Sequence, residues 1–128
     1  MRKLPLFSLP CASSEAIQDA TLVDESRGLL LSLMCDDDGK HRQLGILFVK
    51  PRAFRKRAEI YCTSWHITDG AYDSVCEIQG SDWVDELRAA AVPEWRNYWV
   101  MRHFMIYVES FGCLEVVAES ATLEETAK

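Results

Sequence analysis

Glu59, Tyr61, Thr63 and Trp65 alternate along one stretch of the chain, and Tyr107 and Glu115 belong to a second stretch near the C-terminus. In extended backbone, alternating side chains share a face. If the two stretches lie in one sheet, Glu59, Tyr61, Trp65, Tyr107 and Glu115 form a surface or cleft that sets carboxylates beside aromatic rings. Such a face suits a cation or a basic protein, because the acids supply complementary charge and the rings supply anchoring area. A carboxylate pair such as Glu59 and Glu115 also suits acid/base chemistry once buried, so a small-ligand site or an enzyme with an acidic-aromatic cleft is the alternative reading.

Spacing argues against other chemistries. Cys62 and His66 are four residues apart on one predicted strand. Strand rise then separates them by about 13 Å, too far to share a zinc ion. Asp36-Asp37-Asp38-Gly39 resembles the start of a calcium loop, but Gly45 stands where the closing carboxylate belongs. No glycine-framed elbow surrounds a cysteine, and no phosphate-binding glycine loop or dinucleotide fingerprint is present. Ser81 is followed by Asp82, Asp85 and Glu86 and reads as a helix cap, not a nucleophile. No catalytic residue, metal ligand or cofactor is therefore assigned.

Two hairpins position these residues. His103 to Glu109 and Cys113 to Glu119 flank Ser110-Phe111-Gly112, with Gly112 as the left-handed loop residue. Pairing Glu109 with Cys113 sets Val108 opposite Leu114, Ile106 opposite Val116, Phe104 opposite Ala118, Tyr107 opposite Glu115 and His103 opposite Glu119. One face is wholly apolar; the other is mixed and is expected to be half-buried. Upstream, an Asp38-Gly39 turn pairs Leu33 with Leu44, Leu31 with Ile46 and Leu29 with Phe48. Ala58 to Ile67 and Tyr72 to Gln79 read as further strands. Trp83, Leu87 and Ala90 recur at helical spacing after Ser81, and Pro93 ends that helix or begins another containing Trp95, Tyr98 and Trp99. Ser13-Ser14-Glu15 could open a short helix, while Thr21-Leu22-Val23 favours extended backbone. The expected architecture is α+β: about six mainly antiparallel strands in a curved meander, with a helical segment before the C-terminal hairpin. One domain spans residues 1–128, with the proline-punctuated residues 1–12 as a surface arm.

The chain has 128 residues and a net charge of −6, but that figure conceals a segregation. Five of the 14 basic residues fall in Lys50 to Arg57, leaving nine against 20 acids elsewhere, a balance of −11. A body this acidic repels nucleic acid and membrane phosphates and favours a basic protein partner. The basic cluster itself reads as a solvated loop and strand entry that discourages edge aggregation. No apolar run approaches the ~20 residues that cross a bilayer. Five cysteines, an odd number without paired spacing, suit reduced thiols and a cytoplasmic location. Spacing leaves the oligomeric state open.

The run Arg102-His103-Phe104-Met105-Ile106-Tyr107, followed by Gly112-Cys113-Leu114-Glu115-Val116-Val117-Ala118-Glu119, resembles the closing hairpin of small uncharacterised bacterial proteins. Some proteins of similar size and acidity act as immunity partners of secreted toxins. The resemblance is carried by hairpin residues, so it implies a binding module of immunity or antitoxin-like type and transfers no functional residue.

Overall fold

The computed structural model describes residues 1–127. The chain forms an α+β fold of nine strands in two antiparallel sheets. The strands are β1 (Arg2–Ser8), β2 (Thr21–Glu25), β3 (Gly28–Asp37), β4 (Lys40–Val49), β5 (Ala53–Arg57), β6 (Ser74–Gln79), β7 (Arg102–Val108), β8 (Gly112–Ala118) and β9 (Ser120–Ala127). Two helices, α1 (Ser64–Ile67) and α2 (Asp82–Ala90), flank β6 in sequence. The five-stranded sheet runs β1-β6-β7-β8-β5 and the four-stranded sheet runs β2-β3-β4-β9. Neither sheet curls or closes, and the expected six-strand curved meander is replaced by this two-sheet arrangement.

The β3–β4 hairpin has the register that its alternation and Asp38-Gly39 turn dictate, with Leu29 opposite Phe48, Leu31 opposite Ile46 and Leu33 opposite Leu44. These six side chains are buried against Phe104, Ile106, Val108, Leu114, Val116 and Ala118 of the facing sheet. The Phe48 and Phe104 rings lie 6.0 Å apart across the interface. The other face of β7 and β8 is buried as well, not half-exposed as its mixed composition suggests. Met105, Tyr107 and Cys113 form a second cluster with Ala71, Cys76 and Ile78, beneath Cys62 and Ile67 of the α1 region. The molecule is thus layered: four-stranded sheet, five-stranded sheet, helical cover.

Four departures from the sequence-based reading bear on the site. Ala58 to Ile67 is not a strand but a 3-10 turn at Glu59–Tyr61 followed by α1, whose first turn is capped by Thr63. The basic run upstream of it is the strand instead, β5, at the edge of its sheet. Residues 2–8, within the expected surface arm, form an edge strand, with Pro5 at a register shift where no ladder bond is demanded of it. Finally, the β7–β8 pairing is displaced by two residues, with Val108 opposite Gly112, Ile106 opposite Leu114 and His103 opposite Val117. Gly112 explains the displacement. It is a paired strand residue, with φ +109°, and any Cβ there would run into the Arg57 carbonyl oxygen of β5. Ser110, at φ 65°, takes the left-handed loop position that the sequence-based reading gives to Gly112. A displacement of two preserves the faces and changes only the partners.

The strand pair β4–β9 turns into the pair β5–β8 at a corner between the sheets. Val49 faces Ser120 on one side and Ala53 faces Val117 on the other. Lys50, Pro51 and Arg52 therefore oppose Ala118 and Glu119, a bulge in which Lys50 adopts φ 52°. Bulges of this kind let one ribbon serve two packed sheets. β9, hydrogen-bonded along β4, joins β1 and β5 as a strand with no counterpart in the sequence-based reading.

Candidate functional site

The displaced register places His103 diagonally across from Glu115, which itself faces Met105 on β7 and Arg55 on β5. His103 Nε2 lies 2.7 Å from Glu115 Oε1. Arg55 donates from Nε to Oε2 at 3.0 Å and from its terminal nitrogen to Oε1 at 3.2 Å. Burial pushes the Glu115 carboxyl up, but the hydrogen bonds from His103 and Arg55, helped by the Arg55 charge, outweigh it and hold the group at about 2. An ionised carboxylate only accepts, so the His103 proton lies on Nε2. On its other side, His103 Nδ1 is 2.7 Å from Ser81 Oγ.

Ser81 joins this chain to the helical cover. It is the N-cap of α2 and its Oγ accepts the Val84 N–H at 3.1 Å, as the Ser-Asp-Trp sequence predicts. Trp83, two residues on, packs edge-on to the His103 ring at 5.1 Å and carries the Arg55 guanidinium over its face at 4.0 Å. The order Ser81–His103–Glu115 resembles the hydrogen-bond order of a hydrolytic triad. Here Ser81 is 6% exposed, His103 3%, and the Ser81 oxygen is occupied by the helix it caps. The chain of bonds fastens α2 onto the sheet; Arg55 and Glu115 form the floor of what lies beside it.

That neighbour is a cleft of about 280 Å³ between α1, α2 and β5. Trp65 and His66 line it from α1, Asp82, Trp83 and Glu86 from α2, and Arg55 and Arg57 from β5. Of the five residues expected to share one face, the cleft receives Trp65 and Glu115. Glu59 and Tyr107 meet elsewhere: the Tyr107 hydroxyl donates to Glu59 Oε2 at 2.8 Å, and Glu59 lines a separate depression beside Ser13, Glu109 and Ser110. The backbone N–H of Ser110, with the Tyr107 hydroxyl, holds the Glu59 carboxyl below its ordinary range. Tyr61 joins neither group and is 66% exposed. The five are divided because the strand that would align Glu59, Tyr61 and Trp65 is a turn and a helix.

His66, Arg55, Arg57, Asp82, Trp83, Glu86, Ser81 and His103 are site residues that the sequence reading assigns to no site. Arg55 and Arg57 are two apart on a strand, hence on one face, and that alternation was the available signal. The strand-rise argument separating Cys62 from His66 also lapses with the strand. No group of three or more His, Cys, Asp or Glu side chains is gathered for a metal among the described residues. Burial pushes the Cys76 and Cys113 thiols up to about 11 and about 12, far from the range of a reactive thiolate. The expectation of five free thiols is corrected by a disulfide between Cys11 and Cys35, which leaves Cys62, Cys76 and Cys113 free. No family model, curated protein or solved structure matches the chain, so the site is read from its own geometry.

Proposed function

We propose that the chain is a protein-binding module whose helical cover caps a basic site on another protein, in the manner of an immunity or antitoxin-like inhibitor. The observation that carries this reading is the surface from Asp82 to Val100. Val92, Trp95, Tyr98, Trp99 and Val100 are all exposed there, Trp95 by 48% and Tyr98 by 64%. Asp82, Asp85, Glu86 and Glu94 are exposed on the same segment, and none belongs to an ion pair among the described residues. The acidic-aromatic combination thus recurs on a different part of the chain from the one its sequence first suggests.

The surface is also braced in advance. Arg96 donates from Nε to the Arg88 carbonyl at 3.2 Å and from its terminal nitrogen to Ala89 at 3.2 Å and Ala91 at 3.3 Å, satisfying carbonyls at the end of α2. Trp95 and Tyr98 meet edge to face at 5.3 Å, Tyr98 and Trp99 at 4.7 Å, and Arg52 stacks on Trp99 at 4.2 Å. Rings held in place lose little freedom on binding, and Trp and Tyr at the centre of an interface carry most of its energy.

The test is affinity capture from the source organism's lysate, followed by binding kinetics for the captured protein at two ionic strengths. The expected partner is a basic protein whose association slows as salt is raised. Tyr98→Ala should raise its dissociation rate at least tenfold, and Glu94→Lys should lower its association rate at low salt. A captured protein that binds both variants as it binds the wild type, or an acidic one, sinks the reading.

A further inference from the structure

The cleft between α1, α2 and β5 has two poles. On the α1–β5 side, His66 is only 8% exposed and lines the opening. Its Nδ1 accepts the Thr63 backbone N–H at 2.9 Å, which leaves the ring proton on Nε2. Nε2 has no hydrogen-bond partner among the described residues and is not sealed from solvent. Burial first, then the Arg57 charge, holds His66 below its ordinary range, so at neutral pH the ring is an uncharged N–H donor. Arg57 gives one hydrogen bond, to the Tyr61 carbonyl at 3.3 Å, and belongs to no ion pair among the described residues. Most of its five donors are therefore uncommitted.

On the α2 side stand Asp82 and Glu86, one turn apart, both exposed and neither ion-paired. The remaining charged side chains of the lining, Arg55 and Glu115, satisfy each other, and Met1, Ile78 and His103 complete it. The walls between are Trp65 and Trp83, whose faces already carry Lys3 and Arg55. A simple cation is disfavoured by Arg57 and by those occupied ring faces. A dianion such as phosphate is disfavoured by Asp82 and Glu86. A volume near the low end of about 300–1,000 Å³ for ligand sites suits a molecule of few heavy atoms.

We propose that this cleft binds a small zwitterion of the free amino-acid class, its carboxylate taken by Arg57 and the Nε2–H of His66, its ammonium by Asp82 and Glu86. The guanidinium fork matches a carboxylate, and one carboxylate pair matches one ammonium. The site shares Asp82 and Glu86 with the surface proposed to meet a partner but uses none of the residues from Val92 to Val100, and its test employs small molecules alone, so its failure is distinguishable from a failure of partner binding.

The experiment is an NMR titration of the full chain, following the His66 ring and the Trp65 and Trp83 indole signals. The probes are the twenty free amino acids, with acetate, methylammonium and inorganic phosphate as controls. At least one amino acid should give saturable shifts at all three residues. Its N-acetyl derivative and its methyl ester, each lacking one charge, should bind at least tenfold more weakly, as should acetate and methylammonium. Arg57→Gln and Glu86→Gln should each weaken binding about tenfold; both side chains are exposed, and unchanged near-ultraviolet circular dichroism verifies the folds. The derivative comparison decides the matter on wild-type protein alone. Absence of saturation by any amino acid, phosphate binding as tightly as the best of them, or derivatives that bind equally would overturn the proposal.

Discussion

Glu115 is a carboxylate fixed on two sides, by His103 and by Arg55, and its depressed titration makes a statement about acid stability. Its folded value of about 2 lies below the ordinary 4.5, so the unfolded chain binds the proton more readily. The stabilisation is complete above pH 4.5 and drains away as pH falls toward 2. A displacement of this size corresponds to roughly 3 kcal/mol. Urea titrations between pH 7 and pH 2 should show that decline, and Glu115→Gln should flatten it; an equally steep decline in the variant would mean other carboxylates dominate. Ser81 is the second residue whose role is measurable. Ser81→Ala removes both the α2 cap and the His103 Nδ1 partner, a loss of about 2 kcal/mol when capping and a buried hydrogen bond are taken together. Alternation along the strand singles out Glu115, and its helix-start chemistry singles out Ser81. Their connection through His103 was not legible, because it depends on a register that a two-residue displacement alters without changing any face.

At the scale of elements, the β3–β4 hairpin was readable because a two-residue Asp-Gly turn leaves one pairing that buries all six leucine, isoleucine and phenylalanine side chains. The α2 start was readable for a similar reason, since Ser81 and the acids behind it satisfy the same exposed N–H groups. Ala58 to Ile67 misled because its aromatic and β-branched residues favour strands only where a sheet stands ready to pair with them. Here β5 ends at Arg57, and Thr63 and His66 close a helical first turn instead. Gly112 misled differently: a glycine between strands suggests loop freedom, whereas this one makes room for a neighbouring backbone. Gly112→Ala should therefore cost ~2 kcal/mol or more through strain and collision, and should loosen β5 first. Hydrogen exchange would show the Ala53–Arg57 amides gaining most; uniform change across β7 and β8 would place the strain in the hairpin loop instead.

Across the whole molecule, the disulfide and the core divide the work of holding two sheets together. Cys11 follows β1 of one sheet and Cys35 lies on β3 of the other, so the bond staples them. Closing a loop of 24 residues constrains the unfolded chain by about 3 kcal/mol. Thiol titration of unfolded, unreduced protein should count three free thiols, and reduction should lower stability by about that amount; five thiols would dissolve the staple. Ile106→Ala, at the centre of the sheet interface and wholly buried, should cost ~2 to 5 kcal/mol in denaturant titration. A loss below about half a kcal/mol would contradict the observed packing.

The corner at Lys50–Arg52 has a further meaning for how this molecule comes apart. Because β4 continues into β5 and β8 into β9, one two-stranded ribbon belongs to both sheets. Separating the layers means breaking that ribbon, and breaking it removes an outer strand from each layer at once. Neither layer has an independent route to melting, so amides near Val49 and Val117 should exchange only with global unfolding. A protein tethered at its two ends and pulled would then yield in a single event, at the fold in the ribbon, instead of peeling one sheet from the other.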